Sequence, residues 1–205
     1  VLEIKTVPYA WARPAIRVGD FIGCRGDNFI QTSIQKLRGG LYDMSHAAPV
    51  IGDTTSTLPF VVVFDALGKG MRRNRLSKVY ERDHGRIFWA PVKNTDEQRL
   101  EIVRLAEDLL RKKVKYDFLS TGLAWIRPIF LNVSRLNCSE SFWWLQRKVG
   151  RAEPRFYDSK IYAWLHELIT PSGGRFDDYD RREIAPVPGD CPEWIGATEL
   201  YELIF

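Results

Sequence analysis

Leu136-Asn137-Cys138-Ser139-Glu140-Ser141-Phe142-Trp143-Trp144 places a cysteine directly after asparagine, a favoured helix N-cap. An apolar, helix-like segment follows and ends near Gln146-Arg147-Lys148. Cys138 therefore falls in the first turn of a helix, where backbone N–H groups lack intrahelical acceptors and the dipole favours negative charge. A thiol placed there loses its proton more readily, and the thiolate is the nucleophile. A lone cysteine is more often a small buried hydrophobe. The reactive reading needs a histidine and an acid elsewhere in the chain.

Upstream of this helix the pattern is strand-rich. Phe21-Ile22-Gly23-Cys24 reads as a short strand, and so does the small-residue run from Met44 to Ile51, which Pro49 marks as an edge or bulged strand. Leu58 to Ala66 is β-branched and aromatic, and its unbroken hydrophobicity predicts burial on both faces. Met71 to Arg75 and Arg86 to Val92 give two more strands, and the spacing suggests an antiparallel meander. Helices are expected over 28–37, from the capping-box spacing at Thr95 to Lys113, over 118–126, over 138–148 and over 159–168, with a last strand near 183–187. Residues 1–18 read as an irregular arm. Strands grouped in one stretch and helices in another imply an α+β domain.

Composition sets outer bounds. The 205 residues are 45% hydrophobic and 27% charged, as in an ordinary globular domain. The net charge of +4 favours contact with anionic partners such as cell-wall polymer, lipid headgroups or nucleic acid, without choosing among them. Cysteines at 24, 138 and 191 have neither metal-ligand spacing nor an even count, so no metal site and no disulfide framework is expected. No apolar run approaches the roughly 18 residues of a membrane span, and no secretory leader opens the sequence as given.

A thiol hydrolase needs a base at the sulfur and a polar group to orient that base. There are three histidines. His84 sits in the charged stretch Glu81-Arg82-Asp83-His84-Gly85, and His166 lies inside a helical pattern. His46 stands in a strand beside Ala47 and Ala48, where small neighbours leave room for a thiol and a substrate. On composition alone, a core histidine satisfied by its neighbours is still the commoner case. Asp65 ends the most apolar run of the chain, so it is costly to bury without a partner. An imidazole N–H on the adjacent strand is a suitable one. The plainer alternative is that Asp65 only opens the turn at Gly68.

Taken together, Gly19-Asp20-Phe21-Ile22, Ser45-His46-Ala47-Ala48, Val63-Phe64-Asp65-Ala66 with Gly68-Lys69-Gly70-Met71-Arg72, and Asn137-Cys138-Ser139-Glu140 resemble the circularly permuted NlpC-type cysteine hydrolases of the YiiX-like group. In that group the histidine precedes the cysteine. The resemblance covers residues 19–148 and implies a papain-like α+β fold, an antiparallel sheet packed on the nucleophile helix. It implies Cys138 as nucleophile, His46 as base and Asp65 as orienting group. Through Lys115-Tyr116-Asp117 it also implies Tyr116 as an oxyanion-hole donor. The chain departs from the group in having Asp65 where glutamate is commoner, and Ala48-Pro49 where a glycine usually follows the histidine. Residues 149–205 lie outside the resemblance and are expected to form a C-terminal extension packed on the core.

The expectation is a cysteine peptidase or amidase without a cofactor, acting by resemblance on peptidoglycan stem peptides. Its setting would be the cell envelope, a secreted state or a phage virion rather than the cytoplasm. Two other readings stay open. Trp125 to Leu131 could be an interfacial loop of a lipid acyltransferase or phospholipase on the same scaffold. Lys69, Arg72, Arg73 and Arg75 could form the anion patch of a non-catalytic binding module, although such a charge run is usually a solvated strand face. Nucleic acid is not an expected partner.

Overall fold

Strand β4 (Val62–Leu67) carries the apolar run singled out in the sequence, and it lies inside a seven-stranded sheet whose two faces are both covered. The computed structural model describes residues 1–26, 41–55, 59–67, 70–83, 85–116, 129–130, 136–152, 156–157, 182–185 and 188–205. In chain order the elements of this sheet and its helices are β1 (Ile4–Pro8), α1 (Tyr9–Ala12), β2 (Phe21–Arg25), β3 (His46–Gly52), β4, β5 (Gly70–Arg75), α2 (Leu76–Asp83), β6 (Arg86–Ala90), α3 (Asp96–Arg111), α4 (Cys138–Lys148), α5 (Cys191–Trp194) and, last, β10 (Leu200–Ile204). Between α3 and α5, short strands β7 (Ile129–Phe130), β8 (Phe156–Tyr157) and β9 (Arg182–Ala185) pair as a separate three-stranded sheet.

The order across the large sheet is β1-β10-β6-β2-β3-β4-β5, antiparallel throughout except for the β1–β10 pair. The expected meander is present as β2-β3-β4-β5. Strand β6 does not extend it: α2 carries the chain back, and β6 pairs with β2. The stretch from Leu76 to Asp83 is helical, although its Glu81-Arg82-Asp83 end reads from sequence as a charged loop. Residues 4–8 and 9–12, read as an irregular arm, form β1 and α1. Pro49 lies in an interior strand opposite Phe21, and the register shift predicted for β3 falls just after it, between Val50 and Gly52. A proline in an interior strand forfeits a ladder bond, which fits an irregular stretch of β3. The predicted helices over 28–37, 118–126 and 159–168 lie outside the described residues, as do His84, His166, Lys69 and most of Trp125 to Leu131.

Helix α4 is buried from Cys138 through Gln146, so it runs through the core rather than over the surface. Phe142 and Trp143 pack with Phe21, Ala47 and Phe88 of the sheet, and Trp143 meets Trp194 of α5 edge to face. Trp144 and Leu145 pack with Phe64 of β4 and with Ile102 and Leu109 of α3. The other face of the sheet is closed by Ala12, Ile16, Leu76 and Val79 over Ile22, Ala48, Val50 and Val63. Helix α3 starts at the expected capping box, with Thr95 and Gln98 bonded reciprocally.

The Gly19-Asp20 turn ties these layers together. Asp20 is buried and accepts from the backbone N–H of Val92 and of Arg17 and from the Trp89 indole, each at 2.9 Å. Burial pushes its carboxyl up to about 6 against the pull of those donors. The Gln146 amide donates to the Gly19 carbonyl at 2.7 Å, fastening α4 to the same turn. Gly19 has φ +87°, and a Cβ there would stand 2.3 Å from Asn94 Nδ2. Gly196 has φ +63° with open space around it. Gly196→Ala should therefore cost about 1 kcal/mol of backbone strain alone, whereas Gly19→Ala adds a core collision and should cost about 3 kcal/mol or more. Urea unfolding of the two variants against wild type checks the difference.

Candidate active site

Cys138 is the first residue of α4, and the local sequence builds that start. Asn137 is the N-cap: its Oδ1 accepts from the Glu140 backbone N–H at 2.9 Å, and Glu140 Oε2 accepts from the Asn137 N–H at 2.6 Å. Ser139 Oγ also donates to Asn137 Oδ1 at 3.1 Å. This is a reciprocal cap with asparagine in the usual serine or threonine place. The Asn-x-x-Glu spacing signals it, although only the N-cap itself had been read from the sequence.

His46 opens β3 and Asp65 lies near the end of β4, on neighbouring strands. His46 Nε2 and Asp65 Oδ1 are 2.8 Å apart. With Nε2 so engaged, Nδ1 is the ring nitrogen left for Cys138, whose side chain is hydrogen-bonded to His46. The three residues predicted from sequence are thus brought together, although Cys138 comes from a helix and the others from the sheet. Cys138 and His46 are buried, with 4% and 5% of their surfaces exposed, and Asp65 has none.

The electrostatics follow from that burial. Burial alone would lower the His46 imidazole, but the charge of Cys138 and the hydrogen bonds and charge of Asp65 outweigh it and raise it to about 10. Asp65 is pushed up by burial and pulled down harder by His46 and Arg82, which leaves its carboxyl well below the usual range. Cys138 and Asp65 thus both favour the protonated form of the imidazole. A raised His46 contributes stability that is complete below the unfolded value of 6.5 and is lost as pH climbs through about 10.

The second carboxylate oxygen of Asp65 has partners that the sequence reading did not find. Arg82 Nη1 lies at 2.6 Å, Asn74 Nδ2 at 3.2 Å and Arg72 Nε at 3.5 Å. Arg72 faces Asp65 directly across the β4–β5 ladder. A buried acid followed by an arginine-rich hairpin strand was the available signal. Of the residues proposed as an anion patch, Arg72 also reaches Asp65, Arg73 pairs with Glu107 and Arg75 is stacked 4.0 Å above the Phe60 ring, with Arg72 and Arg73 still largely exposed.

Tyr116 is half-buried, and the adjoining backbone approaches the cap, with Leu136 N–H donating to the Lys115 carbonyl at 3.1 Å. Cys24 lies in β2 as expected. Cys191 begins the short helix α5 instead of sitting in a loop. All three cysteines are thiols. Burial, and then the charge of Cys138, push the Cys191 thiol well above its ordinary value. Iodoacetamide at pH 7 should therefore alkylate Cys138 and spare Cys191. His46→Ala should move the half-maximum of the Cys138 rate upward, toward the ordinary thiol value of about 8.5. Peptide mapping of labelled protein across pH reads both outcomes.

No family sequence model matches the chain, and no curated protein is similar to it in sequence. Among solved structures, the chain is similar to the metalloprotein YiiX of Escherichia coli O157:H7, with 17% identity, 94% of this chain and 97% of that chain covered, and a TM-score of 0.58. Among the described residues, no helix is long and apolar enough to cross a membrane. The likeness to YiiX extends over nearly the whole chain: this protein has a YiiX-like, papain-like α+β fold.

Proposed function

We propose that this protein is a cysteine hydrolase that cleaves an amide bond through a thioester on Cys138, with peptidoglycan stem peptides as its substrate class. The observation that supports this most is the His46 ring, bonded to Asp65 on one side and to a helix-starting cysteine on the other. The Cys138 thiolate attacks the carbonyl carbon, and the C=O electron pair moves onto oxygen. The oxyanion is stabilised by the Cys138 backbone N–H at the start of α4, with the Tyr116 hydroxyl as second donor. The His46 imidazolium gives its Nδ1 proton to the departing amine as the C–N bond breaks. Neutral His46 then takes a proton from water, whose oxygen attacks the thioester. The acid product leaves, and the imidazolium–thiolate pair is restored. Asp65 holds the ring throughout.

YiiX is described as a metalloprotein. Among the described residues here, no three histidine, cysteine, aspartate or glutamate side chains are grouped to hold a metal ion. These residues do not fit such a metal, and no step above runs through one. The envelope, the cell exterior or a phage virion is where the proposed substrate would be met, and the net charge of +4 suits an anionic polymer.

Release of peptide fragments from purified peptidoglycan tests the proposal, with acyl release from phospholipid run in parallel. Cys138→Ser and His46→Ala should each lower the peptide rate by about a thousandfold or more, with the fold retained by circular dichroism. Asp65→Asn should cost less, about ten- to a few hundredfold, because it removes orientation and charge but neither reacting group. Cys24→Ser and Cys191→Ser should stay active. Activity on lipid alone would replace the peptidase with an acyl-lipid hydrolase. No activity on either, with an unreactive Cys138, would leave a binding module.

A further inference from the structure

Helix α2 was not expected from the sequence, and the reactive set does not use it directly. Its buried residues Leu76 and Val79 are three apart and pack on the sheet, and the Leu76 N–H donates to the Val61 carbonyl at 3.0 Å. Arg82 is the next residue at the same spacing, so it continues the stripe that faces the sheet. That stripe carries the guanidinium over the end of β4, 2.6 Å from Asp65 Oδ2.

We propose that Arg82 is a positioning residue of the Cys138–His46–Asp65 site: it fixes the buried Asp65 carboxylate, aims its other oxygen at His46, and supplies the closer and better buried of the two guanidinium charges that offset it. The proposal rests on the reading of those three residues as the reactive set. Asp65 is met by His46 from β3, by Arg72 and Asn74 from β5 and by Arg82 from α2; Cys138 of α4 reaches it through His46. Thiolate, imidazolium, carboxylate and guanidinium then alternate in sign. Without Arg82 the first three carry a net negative charge in a site almost closed to water, and a buried unbalanced charge is shed by taking up a proton. Arg72 is a weaker substitute, because it lies at 3.5 Å with nearly half its side chain in solvent, against 27% for Arg82. Asn74 adds a neutral donor at 3.2 Å that steadies the same oxygen. Arg82 Nη1 meets the Asp65 oxygen that faces away from His46, so its effect on the ring passes through Asp65.

The test is the pH dependence of Cys138 alkylation by iodoacetamide in wild type, Arg82→Gln, Arg82→Lys and Asn74→Ala. Arg82→Gln should move the acid limb upward by about one pH unit or more, so that the rate near pH 5 falls about tenfold relative to the plateau. Arg82→Lys should recover at least half of that shift, and Asn74→Ala should give a smaller shift in the same direction. An Arg82 that only braces the fold would lower the melting temperature and leave the limb of the folded protein in place. A folded Arg82→Gln with the wild-type limb overturns the proposal. If Arg82→Gln does not fold, the carboxyl carbon shift of Asp65 in the wild type decides: it should stay that of an ionised group below pH 3.8, and a midpoint at the ordinary aspartate value overturns the proposal. Alkylation needs no substrate. A shifted limb in a protein that cleaves no amide would sustain this proposal against the hydrolase reading, and an unmoved limb in an active hydrolase would do the reverse.

Discussion

One carboxylate without any exposed surface governs this molecule. Asp65 sits at the end of a strand that is apolar along its length, and a charge there is tolerable only where every lone pair is met. His46 meets one oxygen, and Arg82 with Asn74 meets the other. Each of these partners comes from a separate piece of chain, so the pairing of β3, β4 and β5 and the docking of α2 must be right together. The same requirement fixes the imidazole that faces Cys138. Fold and site are therefore coupled at this residue: the arrangement that makes Asp65 tolerable also raises the His46 imidazole that is bonded to Cys138.

The second constraint is the path of α4. A helix on a protein surface presents one apolar stripe; α4 is buried on every side over its first nine residues. Two tryptophans and a phenylalanine in succession fill the space between sheet, α3 and α5, and Gln146 reaches the Gly19 carbonyl at the far end. The Gly19-Asp20 turn thereby joins the start of β2, the β6 edge and α4. That explains why a short glycine-aspartate pair belongs with the site motifs although neither residue touches the thiol.

What could be read from the sequence was local. The Asn137-Cys138 helix start, the capping box at Thr95 and the apolar run into Asp65 each follow from a few neighbouring residues, and each is found in place. His46 was distinguishable from His84 and His166 only by its small neighbours, and its bond to Asp65 needed the strand pairing to become visible. Helix α2 was missed because only Leu76 and Val79 among its residues are fully buried apolar ones, too few for a periodic signal. Arg82 and Asn74 were missed with it, since their role depends on the hairpin register and on α2 turning back over the sheet. Strand β1 has no buried residue and β10 buries only Leu200 and Leu203; the two pair in parallel across nearly the whole chain length, a relation that no local pattern encodes.

Because α4 is enclosed, Cys138 cannot be loosened by itself. Local openings of a native protein come cheaply where backbone is solvated and packing is thin. The amides of Ser141 to Gln146 belong to neither category, since they lie in a helix whose side chains form parts of two of the protein's hydrophobic clusters. Their solvent exchange then requires breaking the sheet-to-helix packing on both sides, an event close to complete unfolding. Cys138 is thus mounted on a segment with little independent motion, and its pose is inherited from the stability of the surrounding packing.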